Sequence, residues 1–296
     1  MYDVIIIGAG HNGLVCASYL ARAGKTVLVL ERREVIGGAC VTEEVFPGCK
    51  VSRASYVNSL FRPSIIRDLH LKDYGLVFLT REPASFSPFP NGSYLLLGSD
   101  PVQNQREIAK FSGKDAEQYP AYERRLDRLA EFIEPLWDHK PPSPLSSRPG
   151  DLWNLGALGL KVRKSGGEFT KNLVDIFSMS AAHFLNRWFE SEELKSQLVT
   201  DGVIGAMAGP YSPGTAYVLL HHVMGETDGK RGIWCYVRGG MGALCDAIAR
   251  ASGDLGVEIR TASPVRTIAV NGTARGVVLA SGEAIEARAV VSSADP

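Results

Sequence analysis

The sequence predicts an α/β protein built on a doubly wound parallel sheet, with a mixed region of hairpin strands and helices inserted into it. Two short runs rich in β-branched residues, at 3–7 and 25–30, have the character of strands buried on both faces. Between them, residues 14–23 carry apolar side chains at helical spacing, and Gly24 follows as a helix cap. This strand, helix and strand predict a right-handed βαβ unit.

The composition is that of a globular chain with a sizeable core. Of 296 residues, 45% are hydrophobic and 22% charged, which excludes a disordered or fibrous chain. The 32 Lys and Arg balance the 32 Asp and Glu, so we predict no nucleic-acid partner. Apolar runs stop well before the ~18 residues of a membrane span. Five cysteines without a C-x-x-C pair indicate neither a disulfide scaffold nor a metal site.

The region after residue 75 changes character. Strand patterns at 75–79 and 93–97 predict a hairpin across a proline-containing loop. One helix is expected from Asp100-Pro101 and another from Pro120 to about Glu134, before Pro135. The second helix carries a predicted buried stripe of Tyr122, Leu126, Leu129 and Ile133. A proline-rich loop or linker is expected over 139–150, and mainly helix over 151–224.

Strand character returns near the end of the sequence. A strand is predicted after Gly232, then a helix over 241–251, then strands near 257, 265, 275 and 289. Asn271-Gly272 and Ser281-Gly282 are the predicted hairpin turns. We therefore divide the chain into a first cofactor-domain segment at 1–75, a substrate region at 76–230 and a second cofactor-domain segment at 231–296.

A glycine-rich motif follows the first predicted strand. Gly8, Gly10 and Gly13 spell G-x-G-x-x-G between a strand and a helix, where backbone can approach a pyrophosphate closely. We include the intervening Ala9 and Asn12 among the candidate binding residues. Glu31 ends the second predicted strand, where a carboxylate can accept both hydroxyls of a ribose. Together these features predict a bound dinucleotide.

A second glycine motif decides which dinucleotide is expected. Gly37-Gly38 follows Glu31 closely, as in FAD-binding chains, whereas NAD domains usually lack such a pair. We therefore predict FAD. Arg32 faces either the diphosphate or adenosine side of the cofactor, or it is a solvated surface arginine.

These motifs resemble those of the glutathione-reductase-like FAD-dependent oxidoreductases, in particular the phytoene desaturase and carotenoid isomerase branch. The resemblance is carried by GGA at 37–39, SRASY at 52–56 and GGMGAL at 239–244. It implies hydride transfer from an apolar small-molecule substrate to FAD, with oxygen or a quinone as electron acceptor. It also implies that the main chain at Val265 holds the adenine, although an ordinary core valine is the alternative.

The segments GAGHNGLVCASYL, ERREVIGGACVTEE, YVLLHHVMGE and VVSSADP resemble more closely a pyridine nucleotide-disulphide oxidoreductase domain family. That resemblance implies a flavoprotein regulator of mitochondrial function with a respiratory-chain protein partner, in the mitochondrial matrix. Without it, the apolar run from Val4 leaves no room for a leader, and a cytoplasmic location is expected. Relatives continue past VVSSADP, so we expect a C-terminal segment that closes the FAD domain to be absent here.

Two other functions remain open at this point. An amine-oxidase-like activity is the nearest enzymatic alternative. The Rab escort and GDP dissociation inhibitor proteins use the same scaffold to bind partners without catalysis, although Glu31 and the glycine pair favour FAD binding. The oligomeric state is left open.

Other reactive residues form no predicted site. A flavin-linked dithiol needs two cysteines about five positions apart, whereas Cys40 and Cys49 are nine apart, so we read Cys40 as a small buried residue. His221 and His222 are adjacent on a predicted helix and point about 100° apart, which favours packed histidines over a shared ligand site. Flavin chemistry does not require a protein base, so no catalytic residue is nominated.

Overall fold

The structure is a computed structural model that describes residues 1–143, 145, 148–227 and 229–294. In chain order, its helices are α1 His11–Arg22, α2 Pro63–Asp68, α3 Pro101–Ala109, α4 Gly113–Trp137, α5 Pro149–Lys164, α6 Gly167–Ser178, α7 Ala181–Asn186, α8 Glu192–Val199, α9 Thr215–Val223 and α10 Gly242–Asp254. Single 3-10 turns lie at Gly38–Cys40 and Thr200–Gly202.

The strands, also in chain order, are β1 Tyr2–Ile7, β2 Val27–Leu30, β3 Thr42–Phe46, β4 Cys49–Ser52, β5 Phe78–Thr80, β6 Ser85–Pro88, β7 Tyr94–Leu97, β8 Glu226–Thr227, β9 Lys230–Arg231, β10 Cys235–Val237, β11 Glu258–Arg260, β12 Val265–Asn271, β13 Thr273–Leu279 and β14 Ala284–Ser292. The predicted turns at 271–272 and 281–282 join the last three of these strands.

The chain forms two compact units. Unit 1 combines Met1–Thr80 with Trp234–Pro296, and unit 2 is the continuous segment Arg81–Ile233. The sequence-based division placed the corresponding boundaries at 75 and 230. Within the described residues, none of the helices combines the length and apolar character that crossing a bilayer requires.

Unit 1 is built on a six-stranded sheet in the order β11-β2-β1-β14-β13-β12. The first four strands in that order run parallel, and Val4 of β1 lies between Val27 and Ala289. The end of β14 pairs in parallel with β1, while its beginning pairs antiparallel with β13. The predicted α/β architecture with a parallel-sheet core is thus confirmed.

Both faces of the parallel sheet are buried, which explains the continuous apolar runs in the sequence. Along β1, Val4 and Ile6 contribute to one apolar cluster and Ile5 contributes to another. Helices α1 and α10 pack together, and the Ser18 and Ser252 hydroxyls form a buried hydrogen bond of 2.7 Å between them. Alternate β1 side chains therefore anchor the strand from both sides.

Unit 2 is organised around the long helix α4. Ser112 caps this helix by accepting a hydrogen bond from the Asp115 N–H at 3.1 Å. The fully buried Asp115 carboxylate accepts from the Glu190 and Ser191 amides at 2.9 Å each, which fixes the chain entering α8. The predicted stripe is buried in the core of this unit, as its four members show: Tyr122, Leu126, Leu129 and Ile133.

The predicted hairpin between 75–79 and 93–97 is wrong. Strand β5 instead pairs antiparallel with β10, with Phe78 opposite Val237, and belongs to unit 1. Strand β7 pairs with β6, with Leu97 opposite Ser85, and belongs to unit 2. Alternation along a segment predicts a strand, but it does not say which distant strand becomes its partner.

The predicted ends of the second helix are also wrong. Helix α4 runs from Gly113 to Trp137, so Pro120 and Pro135 both lie inside it. An internal proline removes a backbone hydrogen bond and normally ends or kinks a helix. Here nine side chains of α4 are buried, and this tertiary packing outweighs the local preference. The predicted loop over 139–150 includes residues 144, 146 and 147, which lie outside the described residues, and α5 begins at Pro149.

Candidate functional site

The glycine-rich loop leaves the carboxyl end of β1 and turns sharply into α1. Gly8 has φ of +100°, and its N–H donates to the Leu30 carbonyl at 2.8 Å. A Cβ added to Gly13 would lie 2.1 Å from the Gly8 carbonyl oxygen, closer than any side chain can come. The first and third glycines are therefore required for the turn and for the close approach of α1 to the strand.

The start of α1 presents unpaired backbone donors. Gly10 precedes the helix in an extended conformation and makes no side-chain cap hydrogen bond. Asn12 is exposed in the first turn, while Ala9 is completely buried. Amides at a helix N-terminus with no capping side chain are suited to a phosphate group.

The glycine pair packs directly on this loop. The Gly37 N–H donates to the Ala9 carbonyl at 2.9 Å, and Gly10 and Gly37 form an isolated parallel bridge. Gly37 and Gly38 have φ of +124° and +56°, and a Cβ on Gly38 would lie 3.1 Å from the Gly10 Cα. The two glycine motifs, separated in sequence, thus form one continuous backbone surface.

Glu31 lies beside this surface at the end of β2 and is 7% exposed. Its carboxylate accepts the Ala9 N–H at 2.8 Å with one oxygen and the Arg33 N–H at 3.0 Å with the other. Each oxygen of a carboxylate can accept more than one hydrogen bond, so both retain capacity for ribose hydroxyls. Glu31 therefore also positions the glycine-rich loop, a role that sequence reasoning did not identify.

The remaining predicted cofactor contacts lie nearby. Ala262 and Ser263 donate their N–H groups to the carbonyls of Arg33 and Glu31, both at 2.8 Å, which brings the chain leading to Val265 beside β2. Val265 is half-buried against the apolar cluster on that side of the sheet. Arg32 is exposed. The proposed contacts of both residues with a cofactor remain predictions.

Ser293 is a functional residue that sequence reasoning missed. It follows β14 directly, and its hydroxyl donates to the carbonyl of either Gly8 at 3.1 Å or Ile7 at 3.2 Å. A Cβ on Gly8 or Gly13 would lie within 3 Å of this same oxygen. Its position after a parallel strand, at the edge where the glycine loop also lies, was the available signal.

The glycines of the GGMGAL motif explain how α10 reaches the site. The Gly242 N–H donates to the Thr42 hydroxyl at 2.9 Å, and a Cβ on Gly240 would lie 2.4 Å from that oxygen. Because these positions lack side chains, the start of α10 can contact β3 directly. This contact places α10 against the glycine pair.

The cysteines differ from expectation in one respect. Cys40 is buried, as predicted, and Cys49 is exposed at the start of β4. However, Cys40 also contacts His11 of α1 and Cys245 of α10, neither of which was considered with it. All five cysteines are free thiols.

The paired histidines lie in unit 2 on α9. His222 hydrogen-bonds through its Nδ1 to the Val218 carbonyl at 2.9 Å, and His221 packs its ring near Trp137 at 5.1 Å. The described part of the chain contains no group of three or more side chains arranged to hold a metal ion.

The residues at the carboxyl end of the parallel strands fit FAD. The space that a Cβ at Gly13 or Gly38 would take is needed by backbone, the α1 amides are uncapped, and an acidic side chain ends β2. We refer to Gly8–Gly13, Glu31 and Gly37–Gly38 together as the cradle. Such a cradle defines the chain as a Rossmann-like dinucleotide-binding protein.

Comparison with known proteins narrows this class to a family. Residues 6–69 match the NAD(P)-binding Rossmann-like domain, and residues 84–296 match the flavin containing amine oxidoreductase family. The second match covers more than half of the chain, and the chain belongs to that family. A flavin-containing family with a dinucleotide-binding segment confirms the prediction of FAD as cofactor.

Relatives in sequence include a mammalian protein and enzymes named as dehydrogenases or desaturases. The chain is 47% identical to pyridine nucleotide-disulfide oxidoreductase domain-containing protein 2 of Rattus norvegicus, over 100% of this chain and 53% of the relative. It is 29% identical to a limonene dehydrogenase of Castellaniella defragrans, over 99% and 52%. It is 28% identical to a phytoene desaturase of Cercospora nicotianae, over 98% and 45%. The predicted resemblance is confirmed, and the chain spans about half the length of the curated relatives it matches.

Solved structures share the fold. Cyclohexylamine oxidase from Brevibacterium oxydans matches with a TM-score of 0.52 and 24% identity, over 98% of this chain and 57% of that one. A Rab GDI from Plasmodium falciparum matches with a TM-score of 0.58 and 13% identity, over 98% and 65%. At such identities the likeness shows the fold alone, which enzymes and GDI proteins have in common.

Proposed function

We propose that this chain forms the FAD-binding part of an oxidoreductase that removes a hydride from a C–H bond of an apolar substrate. The observation that carries the proposal is the cradle, in which two glycine motifs and an acidic residue meet at the carboxyl ends of parallel strands. Membership of a flavin-containing oxidoreductase family supports the same reaction class.

Each part of the cradle has a distinct task in this proposal. The uncapped amides of α1, with Gly10 and Asn12, bind the cofactor diphosphate through hydrogen bonds and the helix dipole. Glu31 accepts the ribose hydroxyls, and Ser293 holds the Gly8 turn in place. The backbone at Gly37–Gly38 lies along the cofactor. When bound, FAD supplies the hydride acceptor.

The substrate class is argued from the desaturase relatives. Limonene dehydrogenase and phytoene desaturase are named for hydrocarbons, and both align with at least 98% of this chain. The family's name makes amine oxidation the second candidate. Oxygen or a quinone is the proposed electron acceptor, and the yield of hydrogen peroxide in air distinguishes the two.

Anaerobic reduction of the bound flavin tests the proposal. The purified chain is loaded with FAD and mixed with limonene or phytoene dispersed in detergent, or with putrescine or cyclohexylamine. We expect a hydrocarbon to bleach the visible flavin absorption and to yield a product two hydrogen atoms lighter. Bleaching by the amines, with release of a carbonyl compound and ammonia, favours the second candidate. A chain that binds no FAD contradicts both.

A further inference from the structure

Two thiols and an imidazole meet directly behind the cradle. Cys40 ends the 3-10 turn that follows Gly37, Cys245 lies in the first turns of α10, and His11 is the first residue of α1. The Cys40 Sγ lies 3.5 Å from the His11 Nδ1, and the Cys40 and Cys245 thiols hydrogen-bond to each other. Cys40 is 4% exposed and Cys245 is completely buried.

The hydrogen bonds in this cluster give the two sulfur atoms different character. The Cys245 thiol can donate to the Cys40 sulfur or to the Gly37 carbonyl, which is 3.7 Å away. Hydrogen bonds from Cys245, His11 and Ser55 lower the pKa of Cys40 to about 5 despite burial. The hydrogen bond to Cys40, together with burial, raises the pKa of Cys245, and Cys40 raises the pKa of His11. Cys40 is therefore a thiolate beside a protonated imidazole and a neutral thiol.

Two other cysteines have different surroundings and serve for comparison. Burial raises the pKa of Cys16, which lies on α1. Cys49 is exposed on β4 and is the most accessible of the five thiols to a reagent in solution. If exposure alone decided reactivity, Cys49 would react before Cys40.

We propose that Cys40 and Cys245 form a redox-active thiol pair that a hydroperoxide converts to a disulfide, with Cys40 as the attacking thiolate and Cys245 as the resolving thiol. Reactive cysteines are those held as thiolates beside a cationic group, and a neighbouring thiol completes a disulfide when a sulfenic acid forms. This proposal does not depend on which substrate the enzyme oxidises.

The reaction balances in two steps. The Cys40 sulfur attacks one peroxide oxygen, the O–O bond breaks, and the released hydroxide takes the proton of His11 and leaves as water. The Cys245 sulfur then attacks the sulfenic sulfur of Cys40, the S–S bond forms, and the hydroxyl group leaves as water with the Cys245 proton. The two sulfur atoms lose two electrons, which the peroxide gains.

The position of the pair gives the modification a structural consequence. Cys40 follows the glycine pair, and Cys245 belongs to the helix that docks on β3 through Gly242. A disulfide would fix the turn at Gly38–Cys40 to α10 covalently. The pair would thus record exposure to peroxide in the backbone on which the glycine-rich loop rests.

Peroxide oxidation of the reduced, full 296-residue chain tests the proposal. After treatment with hydrogen peroxide, the remaining thiols are alkylated under denaturing conditions and mapped by mass spectrometry without reduction. We expect a disulfide-linked peptide pair containing Cys40 and Cys245 to appear while Cys49 is still fully alkylated. Because this comparison is made within one wild-type molecule, it does not require a folded variant.

Substitutions assign the two roles. In Cys245→Ser we expect a sulfenic acid at Cys40 that dimedone traps, and in Cys40→Ser we expect no oxidation at Cys245. His11→Gln should slow the first step several-fold, while Cys16→Ser and Cys49→Ser, the matched controls, should still form the linked pair. Oxidation of Cys49 before the pair, or unchanged alkylation of Cys40 and Cys245 at every peroxide concentration, overturns the proposal.

Discussion

At the scale of single residues, Glu31 combines a structural and a binding role. Its two carboxylate oxygens hold the amides of Ala9 and Arg33, so the charge lies where the glycine loop and the chain after β2 meet. The same charge faces the position at which ribose hydroxyls bind in such folds. A substitution must therefore separate loss of cofactor binding from loss of structure.

Glu31→Gln makes this separation. The amide oxygen still accepts one backbone N–H, but the charged acceptor is lost, and we expect FAD to bind more weakly by ~1.5–3 kcal/mol, about tenfold or more. Titration of apoprotein with FAD, followed by flavin fluorescence, measures this change, and thermal unfolding checks the fold. Glu34→Gln is the matched control because Glu34 is exposed three positions further on. Equal FAD affinity in both variants would contradict the role of Glu31.

Asp201 shows how burial acts on a titratable group in unit 2. It lies in the 3-10 turn Thr200–Gly202, where burial raises its pKa from 3.8 to about 6, although His222 and Arg81 favour the charged form. The folded protein therefore holds this proton at pH values where the unfolded chain has released it. The contribution of Asp201 to stability is most favourable below about pH 4 and declines as pH rises through about 6.

Asp201→Asn should remove this pH dependence. At pH 7 we expect the variant to be more stable than the wild type by roughly 1–2 kcal/mol, a discounted value because the side chain is only partly buried. Urea unfolding at several pH values between 4 and 7 measures the difference. Glu117→Gln, an exposed position on α4, controls for the loss of one charge. A wild-type stability that rises across this interval relative to Asp201→Asn would show that the charged form is favoured.

At the scale of elements, the approach of α1 to β1 depends on one glycine inside the helix. Gly13 lies where a Cβ would meet the Gly8 carbonyl oxygen at 2.1 Å. That oxygen is backbone and cannot rotate away as a side chain could. The helix can therefore take a side chain at this position only by moving away from the strand.

Gly13→Ala should destabilise unit 1 by at least about 2 kcal/mol, because relieving the overlap separates α1 from the sheet. The matched control is Gly253→Ala in α10, where an added Cβ meets nothing within 4 Å. That variant should be neutral or more stable by up to ~1 kcal/mol, since alanine is the better helix former. Chemical unfolding of both proteins measures the contrast, and equal stabilities would show that the loop adjusts freely.

The elements also show what sequence patterns can and cannot predict. The βαβ unit and its glycine loop were predictable because each residue requirement is local, as at Gly8 and Gly13. The pairing of β5 with β10 and the approach of Cys245 to Cys40 were not, since each joins positions far apart in the sequence. Helix α4 continued through Pro120 because burial of its apolar stripe is a tertiary effect. Ser293 was missed because a hydroxyl that holds a loop leaves no motif.

At the scale of the whole molecule, the cradle belongs entirely to unit 1. Its residues and the serine that supports them come from three separated stretches, at 8–13, at 31–38 and, through Ser293, at the end of β14. A ligand that needs all three binds only when all three are in place. Its binding free energy therefore stabilises these stretches together.

Hydrogen exchange measures this coupling. With free FAD at about 100 times its dissociation constant, binding adds ~2.7 kcal/mol to the native state, so exchange that needs opening of the cradle should slow by up to about 100-fold. We expect this slowing in peptides that cover 8–13, 31–38 and 289–293. Peptides from α4 and α6, which contain no cradle residue, should change far less. Glu31→Gln at the same FAD concentration should show weaker protection, and uniform slowing in α4 would argue against binding at the cradle.

The position of β14 in the sheet has a consequence for the synthesis of the protein on the ribosome. Tyr2 of β1 pairs with Ala287 of β14, so β1 is translated long before the strand that becomes its neighbour. Residues 81–233 form a continuous unit and can complete their core during that interval. Meanwhile β1 keeps an edge of unpaired backbone groups, the feature that promotes strand association between chains. The nascent chain is therefore most exposed to aggregation, and most dependent on chaperones, until β14 leaves the ribosome.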